Sequence, residues 1–246
     1  MMRRTISILI FLASFGFSGC LEIYYDVVVH PNGTFTLRQT TGFGDSYFAM
    51  IYDFARTLRH DSISLNKRAF LDSCHLALHL VHQVEMDSLT SVHRMVGTHG
   101  ITSLRMYDTT VDSMIFFTTA IEVSNADSLP AAFSLLADRH DYALLGKAQV
   151  SSKMTLSVTN TPNSLVLSYH SRHLSSSDSL EMVGLLLDCL PDDVGLHLRV
   201  FANALGPTEN KRTKRIAGGE DFSFGLKDIK EFKELQDVTF TILKQR

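Results

Sequence analysis

Asp72, His75, His79 and His82 follow one another at spacings of three, four and three residues in "LDSCHLALHLVHQ". On a helix, those spacings put all four side chains on one face. Imidazole and carboxylate are donors that zinc and copper accept, so the stripe reads as a candidate metal site. Ligands strung along one straight helix cannot all converge on a single ion. Two or three would bind, with His93 or His99 completing the shell. The competing reading is the polar stripe that any amphipathic helix must expose.

Gly44-Asp45-Ser46 resembles the Gly-Asp-Ser block that opens GDSL-type esterases. That resemblance implies a serine nucleophile, an oxyanion donor from a Gly-x-Asn block and an Asp-x-x-His pair near the C-terminus. Neither companion block is present: the last histidine, His197, sits in a strand-like "GLHLRV". The tripeptide therefore reads as a loop and helix cap, and no residue is assigned a catalytic role. "DRHD", Asp138 to Asp141, and "YHSRH", with His170 and His173, are acid–base or metal candidates of a kind that element ends produce routinely. Lys211, Arg212, Lys214 and Arg215 form the one basic run. It could touch anionic lipid head groups, at about 1 kcal/mol per charge, but reads first as a solvated hairpin loop.

Strands and helices must position these groups. In "LEIYYDVVV", Ile23, Tyr25, Val27 and Val29 alternate with Glu22, Tyr24, Asp26 and Val28, the period of a half-buried strand; "HPNG" then turns the chain into "TFTLRQT". From Asp45 to about Val96 the apolar spacing is helical, beginning with Phe48, Ile51, Tyr52, Ala55 and Leu58 and ending at Gly97 and Gly100, although "CHLALHL" also alternates as a strand would. "ITSLRMYDTTVDSMIFFTTAIEVS" reads as two strands around a turn at Asp108 to Asp112, and "NADSLPAAFSLLADRH" as a helix capped by Asp127 or Ser128. A second hairpin turns at "NTPNS", "SSSDSLEMVGLLLDCLP" is a further helix, and "VGLHLRVFANA", "RIAGGEDFSFGL" and "DVTFTILKQR" supply the last strands. The expected class is α+β: an antiparallel sheet built from hairpins, with amphipathic helices packed on one face.

The start of the chain has its own pattern. Arg3 and Arg4 precede an apolar run to Phe17 that is shorter than the roughly 20 residues of a spanning helix, which is the form of a signal peptide. The run ends in Ser18-Gly19-Cys20, which resembles the lipobox of bacterial lipoproteins; Phe17 departs from the aliphatic residue usual there. The resemblance implies cleavage before Cys20, acylation of its thiol and new amino terminus, and anchoring of a mature domain, 20–246, with a possible sub-boundary near 97–100. The competing reading is an ordinary secretory signal or an uncleaved anchor. Leu21, where an aspartate favours inner-membrane retention in enterobacterial lipoproteins, implies outer-membrane transfer. The lipid cysteine, strand, Asn-Gly turn and strand, with the final "LRVFANALGPTEN" and "DFSFGLKDI", resemble LppM-type envelope lipoproteins, which are small α+β domains.

Composition bounds the rest. Removing residues 1–19 takes away two arginines and no acid, moving the formal net charge from −3 to −5. An acidic chain lacks the concentrated positive surface that nucleic acid demands. Hydrophobic residues make up 45% of the chain, enough for a substantial core. With Cys20 lipidated, Cys74 and Cys189 remain, and an oxidising envelope permits a disulfide; Cys189 in "GLLLDCLP" also suits a buried apolar site. The expected protein is a non-enzymatic, lipid-anchored envelope domain that binds an unidentified envelope protein or lipid. The alternative is a metal-binding or metal-delivery lipoprotein using the histidine face with zinc or copper.

Overall fold

The computed structural model describes residues 21–44, 47–49, 52–53, 66–73, 76, 96–97, 100–111, 114–137, 154–171, 195–206, 212–225 and 237–244. Among them, the alternation read in the first strand produces β1 (Leu21–Val29), whose Tyr25 and Val27 are buried. The "HPNG" turn leads into β2 (Phe35–Gly44). Gly33 takes φ +81°, which a residue with a Cβ rarely adopts, and the Asn32 side chain accepts from the Thr34 amide at 3.1 Å. β3 (Ile101–Val111) and β4 (Met114–Val123) form the next hairpin. The helix α1 (Leu129–Ala137) follows, then β5 (Met154–Asn160), β6 (Ser164–Ser171), β7 (Gly195–Phe201), β8 (Thr213–Ile216), β9 (Gly219–Gly225) and β10 (Val238–Leu243).

The strands form a seven-stranded sheet, ordered β3-β4-β2-β1-β7-β9-β8, and a three-stranded sheet, ordered β10-β6-β5. β1 lies mid-sheet, antiparallel to β2 and parallel to β7, from Glu22↔Gly195 to Val28↔Phe201. After β7 the chain crosses to the small sheet, where Leu205 bridges Ile242 and the Gly206 amide donates to Thr241 at 2.7 Å.

One core lies between the sheets. Period-2 alternation sends Val27, Leu37, Ile121, Leu198 and Val200 inward from the large sheet and Leu156, Leu167, Tyr169, Phe240 and Ile242 from the small one. Phe133 of α1 fills the space between, its ring centroid 5.5 Å from Tyr25 on one side and 5.5 Å from Tyr169 on the other. A second aromatic group, in which Phe43 meets Tyr47 at 5.5 Å, covers the same face toward the start of β1.

Three expectations are corrected. The class is not α+β with helices packed on an antiparallel sheet: the described residues are mostly strand, and the main sheet is mixed. The inward face is covered by α1 and by a small sheet whose alternating strands hide their own apolar side. The turn expected at Asp108 to Asp112 begins too early, since β3 runs to Val111 as an exposed edge where polar residues are no obstacle. The cap expected at Asp127 or Ser128 is Asn125, whose side chain accepts from the Ser128 amide at 3.1 Å ahead of a short 3₁₀ turn at Ala126–Ser128. Helical structure is present at 47–49, 52–53, 67–73 and 76; the helix expected around "SSSDSLEMVGLLLDCLP" lies outside the described residues.

Phe133→Ala opens a hole in contact with both sheets, with an expected cost of about 3–5 kcal/mol in urea unfolding. The Tyr169 hydroxyl is buried without a hydrogen-bond partner, and burial pushes its pKa far above the usual 10.0. Tyr169→Phe should therefore leave stability unchanged or raise it by about 1 kcal/mol. A tyrosine with a raised folded-state pKa stabilises fully below the unfolded value and loses that contribution as pH climbs above it. The wild type should thus weaken above pH 10 more steeply than the variant, an outcome checked by urea midpoints across that range.

Candidate functional site

The outer face of the large sheet carries a row of residues brought together by register alone. Reading across all seven strands, Arg105 lies opposite Ala120, which lies opposite Arg38, then Asp26, Arg199, Asp221 and Lys214. From β2 to β8 the signs alternate strictly. Cross-strand partners sit about 5 Å apart on one face, within reach of charged side chains.

Asp26 is the centre of the row. Its side chain is 3% exposed, and Arg199 grips it bidentately, Nε to Oδ1 at 2.6 Å and Nη2 to Oδ2 at 2.9 Å, while Arg38 Nη2 reaches Oδ2 at 3.1 Å. Fork-to-fork geometry is what a guanidinium offers and an ammonium does not. Arg199 lies over the Tyr24 ring, 4.0 Å from its centroid, and both arginines approach Phe201, at 5.6 and 5.8 Å. Tyr24 stacks on His197 at 4.7 Å, and His197 Nδ1 lies 3.1 Å from both oxygens of Asp221. The Tyr24 hydroxyl donates to Glu22, and burial together with that bond pushes its pKa well above 10.0. The Nε of Arg38 is buried with no partner. A second buried carboxylate, Glu220, is held by Arg215 at 3.0 Å on the inward side.

These groups form a charged and aromatic surface held by ion pairs and ring contacts. The buried acid is committed to two cations, and the histidine to an aspartate.

A serine–histidine–aspartate relay does occur elsewhere. On the outer face of the small sheet Ser157 Oγ lies 2.9 Å from His170 Nε2, and His170 Nδ1 lies 2.9 Å from Asp237 Oδ1. The order is that of a nucleophile, base and orienting acid. The Asp237 side chain is 63% exposed, so solvent screens the charge that would stabilise an imidazolium. The relay links β5, β6 and the residue before β10 across the open sheet.

Of the residues singled out in the sequence, Asp72 lies exposed in the helical stretch 67–73; Cys20, His75, His79, His82, His93, His99, Lys211, His173, Cys74, Cys189 and Asp138 to Asp141 lie outside the described residues. Among the described residues no three His, Cys, Asp or Glu side chains group as metal ligands. Gly44 ends β2, with Asp45 and Ser46 outside the described residues. Arg212 sits in the turn before β8, Lys214 is in the charged row, and Arg215 is engaged by Glu220 and donates to the Gly206 carbonyl at 3.3 Å. A head-group phosphate would have to displace those partners of Arg215. The charged row escaped sequence reading because its members are scattered. The available signal was Asp26 itself, a weak strand former placed mid-strand.

No protein-family model matches the chain, and no curated protein matches it. Among solved structures, the folded domain of LppM from Mycobacterium tuberculosis, determined by NMR, is similar over 94% of this chain and 94% of that domain, at 10% identity and a TM-score of 0.41. It is a namesake of the group that the opening hairpin resembles.

Asp26→Ala leaves two partly exposed guanidinium groups of the outer face without their acid, at an expected cost of about 1.5–3 kcal/mol. Arg199→Lys keeps the charge and loses the fork, and should cost less. Urea unfolding of both variants ranks the two effects; equal and small losses would mean that the trio is solvated and contributes little.

Proposed function

We propose that the chain is a lipid-anchored protein of a bacterial cell envelope, held to its membrane through Cys20 and acting by binding or assembly rather than by catalysis. The observation that carries this reading is where strand pairing begins. β1 pairs with β2 from Leu21, the residue after Cys20, and with β7 from Glu22. A cut in front of Cys20 thus leaves all the described strands in the mature domain. Two or three acyl chains on that cysteine, at about 0.8 kcal/mol per buried CH₂, hold a domain on a bilayer unaided. No described helix is long and apolar enough to cross one.

The recognition surface in this reading is the outer face around Tyr24, Arg38, His197, Arg199 and Phe201. Its arginines are fixed in place before any partner arrives, which lowers the entropic cost of binding. Leu21 after the cysteine favours the outer membrane, and an envelope protein or lipid is the partner class.

The expected intact mass of protein extracted from membranes is that of residues 20–246 plus acyl chains, and Cys20→Ala should abolish the addition. An unmodified full-length mass would overturn the anchor. Stoichiometric zinc or copper in the same sample, lost when His79→Ala and His82→Ala are combined, would instead favour metal delivery.

A further inference from the structure

We infer that the end of the large sheet nearest Cys20 is a second membrane contact, an apolar rim that rests on the lipid bilayer and sets the domain upright on it. The inference deepens the anchor reading and rests on it.

The first argument is covalent. Leu21 is already fixed opposite Phe43, and consecutive Cα atoms lie about 3.8 Å apart, so no slack separates a lipid on Cys20 from the start of the sheet. Whatever lies level with Leu21 is therefore brought to the membrane interface.

The second is the distribution of charge along the strands. The row level with Leu21 is Phe43, Ile115 and Thr110, and the row beyond it is Gly44, Met114 and Val111. Neither contains a charged residue among those described. Glu22 and Asp108 appear in the next two rows, level with Gly42 and Thr41. The row at Asp26 holds Arg105, Arg38, Arg199, Asp221 and Lys214 besides, roughly 17 Å from Leu21 at 3.3 Å per residue. Among the described residues charge is thus concentrated at the height of Asp26, beyond the ~8 Å Debye length from the anchor, while the two rows at the Cys20 end carry none and only Glu22 and Asp108 stand between.

The third is exposure. Val111 is 55% exposed and Met114 and Phe116 are half-buried at the same end, so apolar surface faces outward there. Strand ends need no hydrogen-bond partner from the bilayer core if they only touch its interface, where the backbone stays hydrated. Asp112 and Ser113, which join β3 to β4, lie outside the described residues, and the contact assigned here is made by the strand ends. The opposite end of the sheet, with the His30–Thr34 turn and Ala217, points away from the membrane.

The chain contains no Trp, so one introduced tryptophan reports its own depth. Val111→Trp, Met114→Trp and Ala217→Trp are each made in the full chain, extracted with its lipid and reconstituted in phosphatidylcholine vesicles with and without brominated acyl chains. The expected result is blue-shifted emission and loss of intensity on brominated lipid at 111 and 114, with neither at 217. Emission at 111 and 114 as solvent-like as at 217, in protein whose mass shows the acyl chains, overturns the rim and leaves the anchor standing. Equal quenching at all three positions also overturns it, because the sheet then lies flat. An unacylated mass removes both readings together.

Discussion

A carboxylate taken out of water inside a sheet is tolerated only when cations meet it in a fixed geometry, and Asp26 sets that condition for the large sheet. Apolar alternation alone decides which face of β1 turns inward, but it is blind to a slip of two residues, which preserves every face. The charges are not blind to it. A two-residue slip would set Asp26 opposite Thr36 or Thr40 on one side and His197 or Phe201 on the other, and would strand the buried acid. The Arg38–Asp26–Arg199 trio thus adds register to a sheet that hydrophobic burial had only oriented. It does so at the join where antiparallel pairing gives way to parallel.

The same division explains how much could be read from the chain. Local patterns were legible: the alternation of β1, the Gly33 turn, the second hairpin around Pro162 and the strand character of the residues around His197 all depend on near neighbours. The partner of β1 on its far side was not, because nothing in "LEIYYDVVV" names Gly195–Phe201. The class was misjudged for a related reason. Helical spacing between Asp45 and Val96 suggested a helical cover, whereas β5, β6 and β10, each an ordinary alternating strand, combine into the sheet that buries the inward face together with α1. β3 was cut short because an exposed edge strand does not need the apolar residues by which strands are recognised.

The candidate surface was less legible than the fold. Histidine stripes and basic runs attract notice because their members are close in sequence, while the residues of the charged row come from seven separate strands and share only a height in the sheet. Tyr24 and Phe201 read as ordinary strand aromatics until the guanidinium of Arg199 is placed over them. Sequence proximity and chemical proximity part company most in sheets of this kind, where each strand contributes one side chain per row.

The parallel β1–β7 pairing also imposes an order of events. A chain that emerges amino end first presents β1 at the outset, yet the arginine that completes the setting of Asp26 follows it by 173 residues. Until that arginine arrives, β1 has β2 on one flank and an open backbone edge on the other, with an acid waiting in the middle of it. The hairpins can close as they appear, but the sheet's centre is a late event with a large loop-closure cost. During biogenesis the first described strand therefore appears long before β7 can seal its far edge, and in that interval an escorting factor, or a neighbouring nascent copy, would find that edge unguarded.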